Sequence, residues 1–267
     1  MLSIIIPTCN RNDLLAICLD CLSKEKQHFT AAEYEVIVTD DSKDQKARSL
    51  MLQNYPWAKW IEGPKKGPAS NRNNGAKHAK FDWLIFIDDD CQPTSQLINN
   101  YYSEIIKGKY QALEGAIDPG RAQQRYDEEA PVNLKGGCFW SCNIAIAKSL
   151  FFKIDGFDEG FPYPAMEDTD FFIRVKENAE VKFLPDAMVI HPWRRMVAFK
   201  SYKKHLASHQ YFESKYSISK PDNYRLTRVK ILIGHFFKDG IVLAGYSFKG
   251  IGFFLEKVYL NFRLIFQ

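Results

Sequence analysis

The sequence predicts an α/β fold: a mostly parallel central sheet flanked by helices, followed by an amphipathic helical extension. Three observations predict it. The first half alternates short apolar, β-branched runs with segments of helical periodicity. Those runs are almost continuously apolar, which suits strands covered on both faces. Past residue 193 the charge changes sign: residues 194–267 hold 14 Lys/Arg against 4 Asp/Glu, whereas 1–193 hold 22 against 28. An acidic body joined to a basic, aromatic tail directs the tail toward something anionic.

The elements follow in order. Leu2–Pro7 is an apolar run closed by a breaker, the first strand. Asp13–Ser23 carries Leu14, Leu15, Cys18, Leu19 and Leu22, a helical stripe. Tyr34–Thr39 is the second strand, Lys46–Asn54 a short helix and Lys59–Ile61 a third strand. Gly67–Lys80 is a loop entering a helix. Trp83–Ile87 is a buried strand, and Thr94–Lys107 a helix with Thr94 as its N-cap. Tyr110–Ile117 is again a strand. The polar segment 118–137 is expected to be a long surface loop. Apolar patterning resumes at Cys138–Leu150. A helix runs from Glu167 to about Lys176, a strand over Val181–Leu184, and a further short run over Ala187–His191. Segments 197–216 and 224–267 are amphipathic helices.

At 267 residues, 46% hydrophobic and 25% charged, the composition excludes wholesale disorder, a collagen and a disulfide scaffold. No basic leader precedes the first strand, so no signal peptide is expected. No uncharged apolar run reaches about 18 residues, so no membrane-spanning helix is expected. The nearest, 231–255, is interrupted by Lys238, Asp239 and Lys249. Six cysteines without an export signal fit a reducing compartment. Cys18-Leu-Asp-Cys21 has metal spacing but no second pair, and is read as small core residues.

In parallel sheets of this kind ligands bind beyond the carboxyl ends of the strands. The residues there are polar. Strand one ends in Thr8-Cys-Asn-Arg11, strand two in Asp40-Asp41-Ser42, and the fourth strand in Asp88-Asp89-Asp90. Five carboxylates at one edge repel one another unless a cation or donors answer them. Asp88 and Asp90, two apart on an extended strand end, are expected to point the same way and bind a hard divalent cation. Asp89 would face elsewhere or meet a hydroxyl. The alternative is a solvated acidic turn. Asp40 and Asp41 suit the N–H of a base or a ribose hydroxyl, or else an Asx turn. Arg72, in a Gly-rich helix entry, suits phosphate oxygens. Walker A and GxGxxG patterns are absent.

Glu167-Asp168 opens a helix, where acids commonly answer the dipole. The functional reading is a general base, with Asp168 the first choice and Glu167 the reserve. His191 is either structural or a filler of an open coordination position. Arg194 and Arg195 would neutralise a diphosphate leaving group, or simply begin the basic tail.

These residues, in this order, resemble the inverting nucleotide-sugar glycosyltransferases of family 2, which have the GT-A (Rossmann-like) fold. The resemblance spans roughly residues 2–193. It rests on Ile-Ile-Ile-Pro-Thr-Cys-Asn-Arg11, Val-Thr-Asp-Asp-Ser42, Gly-Pro-Ala-Ser-Asn-Arg-Asn-Asn-Gly75 and Phe-Ile-Asp-Asp-Asp90, the DxD element. Gly-Phe-Asp-Glu159, Glu-Asp-Thr-Asp170 and Val-Ile-His191 complete it. It implies that Pro7, Thr8, Asn10, Arg11, Asp40, Asp41, Arg72, Asp88, Asp89 and Arg194 hold the donor. Asp90, with Asp88 and His191, would bind Mn2+ or Mg2+, and Asp168 would be the base. The chain departs from the pattern at Asn71, where a small residue is usual, and at Cys91, in place of a common further acid. No Gln-x-x-Arg-Trp is present, which argues against processive polymerisation.

The implied organisation is a glycosyltransferase domain over 1–193, with a nucleotide half (1–117) and an acceptor half (118–193), then the extension 194–267. The implied reaction moves a sugar from a nucleotide-sugar, UDP-sugar favoured, to a hydroxyl of a glycan or lipid-linked saccharide in bacterial surface polysaccharide assembly. Stretch 225–267 interleaves 7 Lys/Arg with aromatics from Phe236 to Phe266. It suits an anionic membrane surface, and so a peripheral enzyme at the cytoplasmic face of the inner membrane. A homodimer face is the other reading of that stretch, and nucleic acid is not an expected partner. Competing functions are a non-catalytic, membrane-associated relative and a haloacid-dehalogenase-type phosphatase. The latter lacks its Gly-Thr or Gly-Val after Asp90.

Overall fold

The computed structural model describes residues 1–29, 33–200, 202–217 and 224–265. Strands and helices alternate from the start: β1 (Leu2–Thr8), α1 (Asn12–Cys21), α2 (Lys24–Gln27), β2 (Tyr34–Asp40), α3 (Lys46–Asn54), β3 (Lys59–Glu62), α4 (Pro68–His78) and β4 (Trp83–Ile87). There follow β5 (Gln92–Pro93), α5 (Leu97–Ile105), β6 (Ala112–Asp118), β7 (Glu128–Glu129), β8 (Asn143–Ala147), α6 (Lys148–Lys153), α7 (Glu167–Lys176) and β9 (Val181–Ile190). The chain closes with β10 (Arg194–Arg195), α8 (Tyr202–Lys215), α9 (Tyr224–Gly245) and α10 (Ile251–Ile265). Phe266 lies outside the described residues.

One sheet has the order β3-β2-β1-β4-β8-β6-β9-β5. β1 pairs in parallel with both β2 and β4, and β6 with β9. β8 and β5 run against their neighbours. The apolar runs of β1 and β4 are buried on both faces, as their lack of alternation predicts. Leu2, Ile4 and Ile6 of β1 and Ile85 and Ile87 of β4 join one core. Ile5, Leu84 and Phe86 join the other, with Phe151, Phe157 and Phe171. Phe157 and Phe171 stack with centroids 4.2 Å apart.

Contacts divide the chain into two units: Met1–Gly120 with Pro131–Pro192, and Arg121–Ala130 with Trp193–Gln267. The first holds the large sheet. In the second, β10 pairs antiparallel with β7, Arg194 opposite Glu129. Leu243, Phe253 and Phe254 pack with Tyr126 in a small core of its own.

Three sequence expectations need correction. Thr94 is not the N-cap of α5. The pairing of Gln92-Pro93 with β9 keeps the chain extended, and the Thr94 hydroxyl donates to Met188 O at 3.0 Å. Buried Gln27 serves the helix start instead, accepting the Ile98 N–H at 3.2 Å. Segment 118–137 is not one surface loop, because Glu128-Glu129 pair with Arg194-Arg195. The two runs expected over 181–184 and 187–191 form a single strand ending at Ile190, with a bulge opposite Gly115/Ala116. The expected helical character of the final stretch holds over 224–265 as two helices, separated where Ser247, Phe248 and Gly250 take positive φ.

The bulge explains Gly115. A Cβ there would collide with the Ala187 carbonyl, the Asn143 amide and the Tyr101 hydroxyl. Those three groups are already joined: Asn143 donates to Ala116 O and Ala187 O at 2.8 Å, and accepts from Tyr101 at 2.9 Å. Gly115→Ala is expected to cost about 3 kcal/mol or more, the upper range of overpacking. Urea unfolding checks this as a lowered midpoint.

Candidate active site

Because β1, β2 and β4 are parallel, Thr8, Asp40 and Ile87 end at one edge. Chemistry-bearing residues follow each. The Thr8 hydroxyl donates to Asp89 at 2.7 Å. Arg11 reaches Asp89 at 2.6 Å and Asp90 at 2.9 Å. Asp89 is fully buried, and burial pushes its carboxyl up to about 7 against the pull of Arg11 and Thr8. In this structure it holds Thr8 and Arg11 in place. Pro7 is buried within β1, and Asn10, at φ 56°, gives its N–H to Ser42 Oγ at 2.8 Å. A cleft of about 470 Å³ opens beside Asn10, Arg11 and Lys46.

Asp40 forms an Asx turn, accepting from Ser42 N–H at 2.8 Å, and takes the Trp60 indole N–H at 3.3 Å. It is almost fully buried. Asp41 clamps the next loop, accepting from Lys65 N–H at 2.9 Å and Gly67 N–H at 3.1 Å. That clamp sets the entry of α4, where Gly67 has φ 95° and Pro68 takes the first turn. Gly75 lets α4 approach the sheet, since a Cβ there would meet the Ile5 side chain. Asn71 then reaches the strand ends, accepting from the Thr39 hydroxyl at 2.6 Å and donating to Thr39 O at 2.8 Å. Its bulk is thus used in hydrogen bonds that a small residue could not make.

The next residue, Arg72, is 5% exposed and pairs with Asp88 at 2.7 Å. Its Nη1 lies 3.9 Å from Glu167, and its guanidinium sits over the Phe157 ring at 5.5 Å. Burial alone would lower its pKa, but Asp88, Asp168 and Glu167 outweigh that and hold it charged. Its Nε and Nη1 make no hydrogen bond among the described residues. Glu167 and Asp168 open α7 directly after Met166, which is held at φ 72°. Left-handed backbone at a non-glycine residue is a strain typical of functional sites. Burial raises both carboxyls above the usual range. Their mutual repulsion adds to the rise at Glu167, and Arg72 opposes it at both. Asp168 Oδ1 is buried without a hydrogen-bond partner, beside Ser141. Glu167 lines a cleft of about 360 Å³ with Lys66, Pro68, Glu159 and Tyr163.

The carboxylates of Asp88 and Asp90 part company. The chain turns at 89–90 instead of staying extended, so Asp88 meets Arg72 while Asp90 meets Arg11 and His191. The sheet explains His191. Gln92 pairs with Ile190 in antiparallel register, which sets the next residues outward, Cys91 and His191, at the same edge. His191 Nε2 lies 3.2 Å from Asp90 Oδ1, both side chains being about 5% exposed or less. Asp90, Cys91 and His191 each offer a ligand atom within 4.8 Å of the others. An oxygen and a nitrogen donor with positions left for ligand oxygens fit Mn2+ or Mg2+. Asp88 stands outside this group. Arg194 is exposed on β10 and belongs to the second unit.

Sequence reasoning missed Ser141, Cys91 and Glu114. Buried Glu114 accepts from Gly137 N–H, Cys138 N–H and Asn133 Nδ2 at 2.7–2.8 Å, and so shapes the loop leading to Ser141. An acid inside an apolar strand was the available signal for Glu114, and the departure from pattern was the signal for Cys91.

A family model described as Glycosyl transferase family 2 matches residues 3–141, just over half of the chain. An uncharacterized glycosyltransferase of Haemophilus influenzae is 29% identical over 201 residues, 69% of this chain and 64% of that one. TarS of Staphylococcus aureus, named a poly(ribitol-phosphate) beta-N-acetylglucosaminyltransferase, is 28% identical over 142 residues, 48% of this chain and 24% of its own. Its residues 1–349 in complex with UDP-GlcNAc match with a TM-score of 0.59 at 22% identity, over 94% of this chain and 73% of that one. The mannosyltransferase PcManGT from Pyrobaculum calidifontis, in complex with GDP-Man and Mn2+, matches with a TM-score of 0.60 at 15% identity, over 99% and 84%. The chain spans less than two thirds of the length of these curated relatives.

Proposed function

Because the chain belongs to glycosyl transferase family 2, and is a transferase of the GT-A fold, we propose that it moves a sugar from a UDP-sugar to a hydroxyl of a glycan or lipid-linked saccharide in surface polysaccharide assembly. The observation that carries this reading is the division of these carboxylates between two clusters, one around Arg11 and His191 and one around Arg72. Asp89 and Asp90 face Arg11 and His191, while Asp88 and Glu167 face Arg72.

Each group has a task. Asp90 and His191 are the residues that would hold a divalent cation, which when bound offsets charge on the departing diphosphate. Arg72, held charged and with N–H groups to spare, answers phosphate oxygens from the opposite side. Asp168 takes the proton of the incoming hydroxyl as the new C–O bond forms. Attack from the face opposite the leaving group inverts the anomeric carbon. A fixed guanidinium in a water-poor site is worth more to a developing charge than the same group in water. The UDP choice is supported by the TarS complex, and metal dependence by the PcManGT complex with Mn2+.

The test is a thermal-shift screen of UDP, GDP, dTDP and CDP, each with and without Mn2+. Stabilisation by UDP that depends on metal supports the reading. No metal-dependent shift with any nucleotide removes it.

The second unit supports a peripheral membrane site at the cytoplasmic face. Among the described residues no helix is long and apolar enough to cross a membrane. Yet α9 exposes Ile233, Phe237 and Ile241, and α10 exposes Ile251, Leu255, Tyr259 and Phe262. Both rows recur at helical spacing, with Lys230, Lys238, Lys249 and Arg263 exposed among them. Each basic residue near an anionic surface adds about 1 kcal/mol. Co-sedimentation with phosphatidylglycerol vesicles, weakened by salt and by Phe237→Ser with Ile241→Ser, is the expected result. A concentration-dependent dimer with no vesicle binding would assign the face to a second copy.

A further inference from the structure

We propose that Cys91 is a third protein donor to the cation held by Asp90 and His191, and that its sulfur biases the site toward thiophilic divalent cations over Mg2+. This rests on the metal-dependent reading above and deepens it.

Gln92 opposite Ile190 places Cys91 and His191 side by side at the end of the same two strands, while Asp90 precedes them in the turn. Backbone pairing, not a flexible loop, therefore sets this juxtaposition. The three donor atoms lie within 4.8 Å of one another, the one such group of three or more among the described residues. A cation with a metal–sulfur distance of about 2.3 Å and metal–nitrogen or metal–oxygen distances of about 2.0–2.2 Å needs donors closer than that limit, within reach of small side-chain rotations. The Cys91 thiol makes a weak contact, donating to Cys142 O at 3.6 Å, so little is lost when it turns to a metal. The site is buried, and the Arg11 side chain, 38% exposed over Asp90, marks its route to solvent.

The chemistry of the donors sets the selectivity. Asp and His alone accept Mg2+ or Mn2+. A thiolate added to them favours Co2+ and Zn2+, then Mn2+, and does little for Mg2+. Ligation breaks the S–H bond and releases the proton to the buffer. A carboxylate at position 91 would lack this preference.

The test uses the full chain freed of metal and titrated with Co2+. A thiolate-to-cobalt charge-transfer band in the near ultraviolet is expected in the wild type. The same band is expected in Cys142→Ser, and its loss in Cys91→Ser and Asp90→Ala. Competition binding is expected to show Cys91→Ser weakening Co2+ and Zn2+ by at least about tenfold, a loss that even outer-shell changes reach. Mg2+ affinity is expected to stay unchanged. Co2+ that binds through Asp90 without the band, in the wild type itself, overturns the sulfur ligand and leaves the metal reading standing. Absence of any Asp90-dependent cation binding overturns both. A band that persists in Cys91→Ser also overturns it, and because absence of the band in the wild type overturns it without any variant, a variant that fails to fold does not shield the proposal.

Discussion

Asp168→Asn is expected to lower turnover by about 100- to 10,000-fold, the range lost with a general base, while donor affinity stays near that of the wild type. The substitution keeps the shape of a group packed beside Ser141, and its amide oxygen can still accept the hydrogen bonds that Ser141 offers. Removing a carboxyl whose charge is disfavoured by burial also spares the fold. Thermal melting is therefore expected to hold while turnover falls. Glu167→Gln is the comparison. Its carboxyl lies 3.9 Å from Arg72 and lines the cleft, so it should raise KM more than it lowers kcat. The pH profile gives an independent reading. A base works only when unprotonated, and burial raises both carboxyls. The acid limb of kcat/KM is thus expected to be displaced upward from the ordinary aspartate value, with activity falling as pH drops through it. Asp168→Asn should abolish that limb.

Asp90→Ala is expected to remove metal-dependent donor binding and to cost about 100- to 1,000-fold in kcat/KM, as loss of a transition-state charge partner does. Two neighbours would each lose one contact at once. Arg11 Nη1 now sits 2.9 Å from Asp90, and His191 Nε2 sits 3.2 Å from it. His191 is 2% exposed, so losing this buried contact also weakens the fold locally. Asp90→Asn separates the two effects, since it keeps the packing and weakens the ligand. Nucleotide titrations at a series of Mn2+ concentrations check the prediction. The wild type should gain affinity with metal, and Asp90→Asn should gain little.

Much of the fold was legible because the strands are apolar on both faces. Trp83–Ile87 and Lys46–Asn54 have the same bounds in sequence and structure, and β1, β2 and β3 extend one residue further. The edge carboxylates were legible for the same reason, since parallel strands must end together. What the sequence did not reveal depends on pairing across long separations. The two-residue strands β5, β7 and β10 have no pattern of their own and exist through their partners. His191 reaches Asp90 only because Gln92 registers with Ile190. Asp88 turns to Arg72 because the chain leaves the strand at Ile87, which periodicity cannot show. Asp40 illustrates a choice that sequence leaves open: both a nucleoside contact and an Asx turn suit it, and Trp60 and Ser42 take its oxygens. The break between α9 and α10 lies at residues with positive φ, two of them not glycine, and Gly245 and Gly250 on either side were the available signal for it.

The central claim is that the edge carboxylates have separate duties, Asp90 holding the donor through a cation and Asp168 serving the acceptor. Calorimetric titration of UDP-sugar in the presence of Mn2+ into the wild type, Asp90→Ala and Asp168→Asn measures this directly. The account predicts that Asp168→Asn binds donor as the wild type does, while Asp90→Ala binds it at least about tenfold more weakly. Donor binding lost in Asp168→Asn and retained in Asp90→Ala would contradict it.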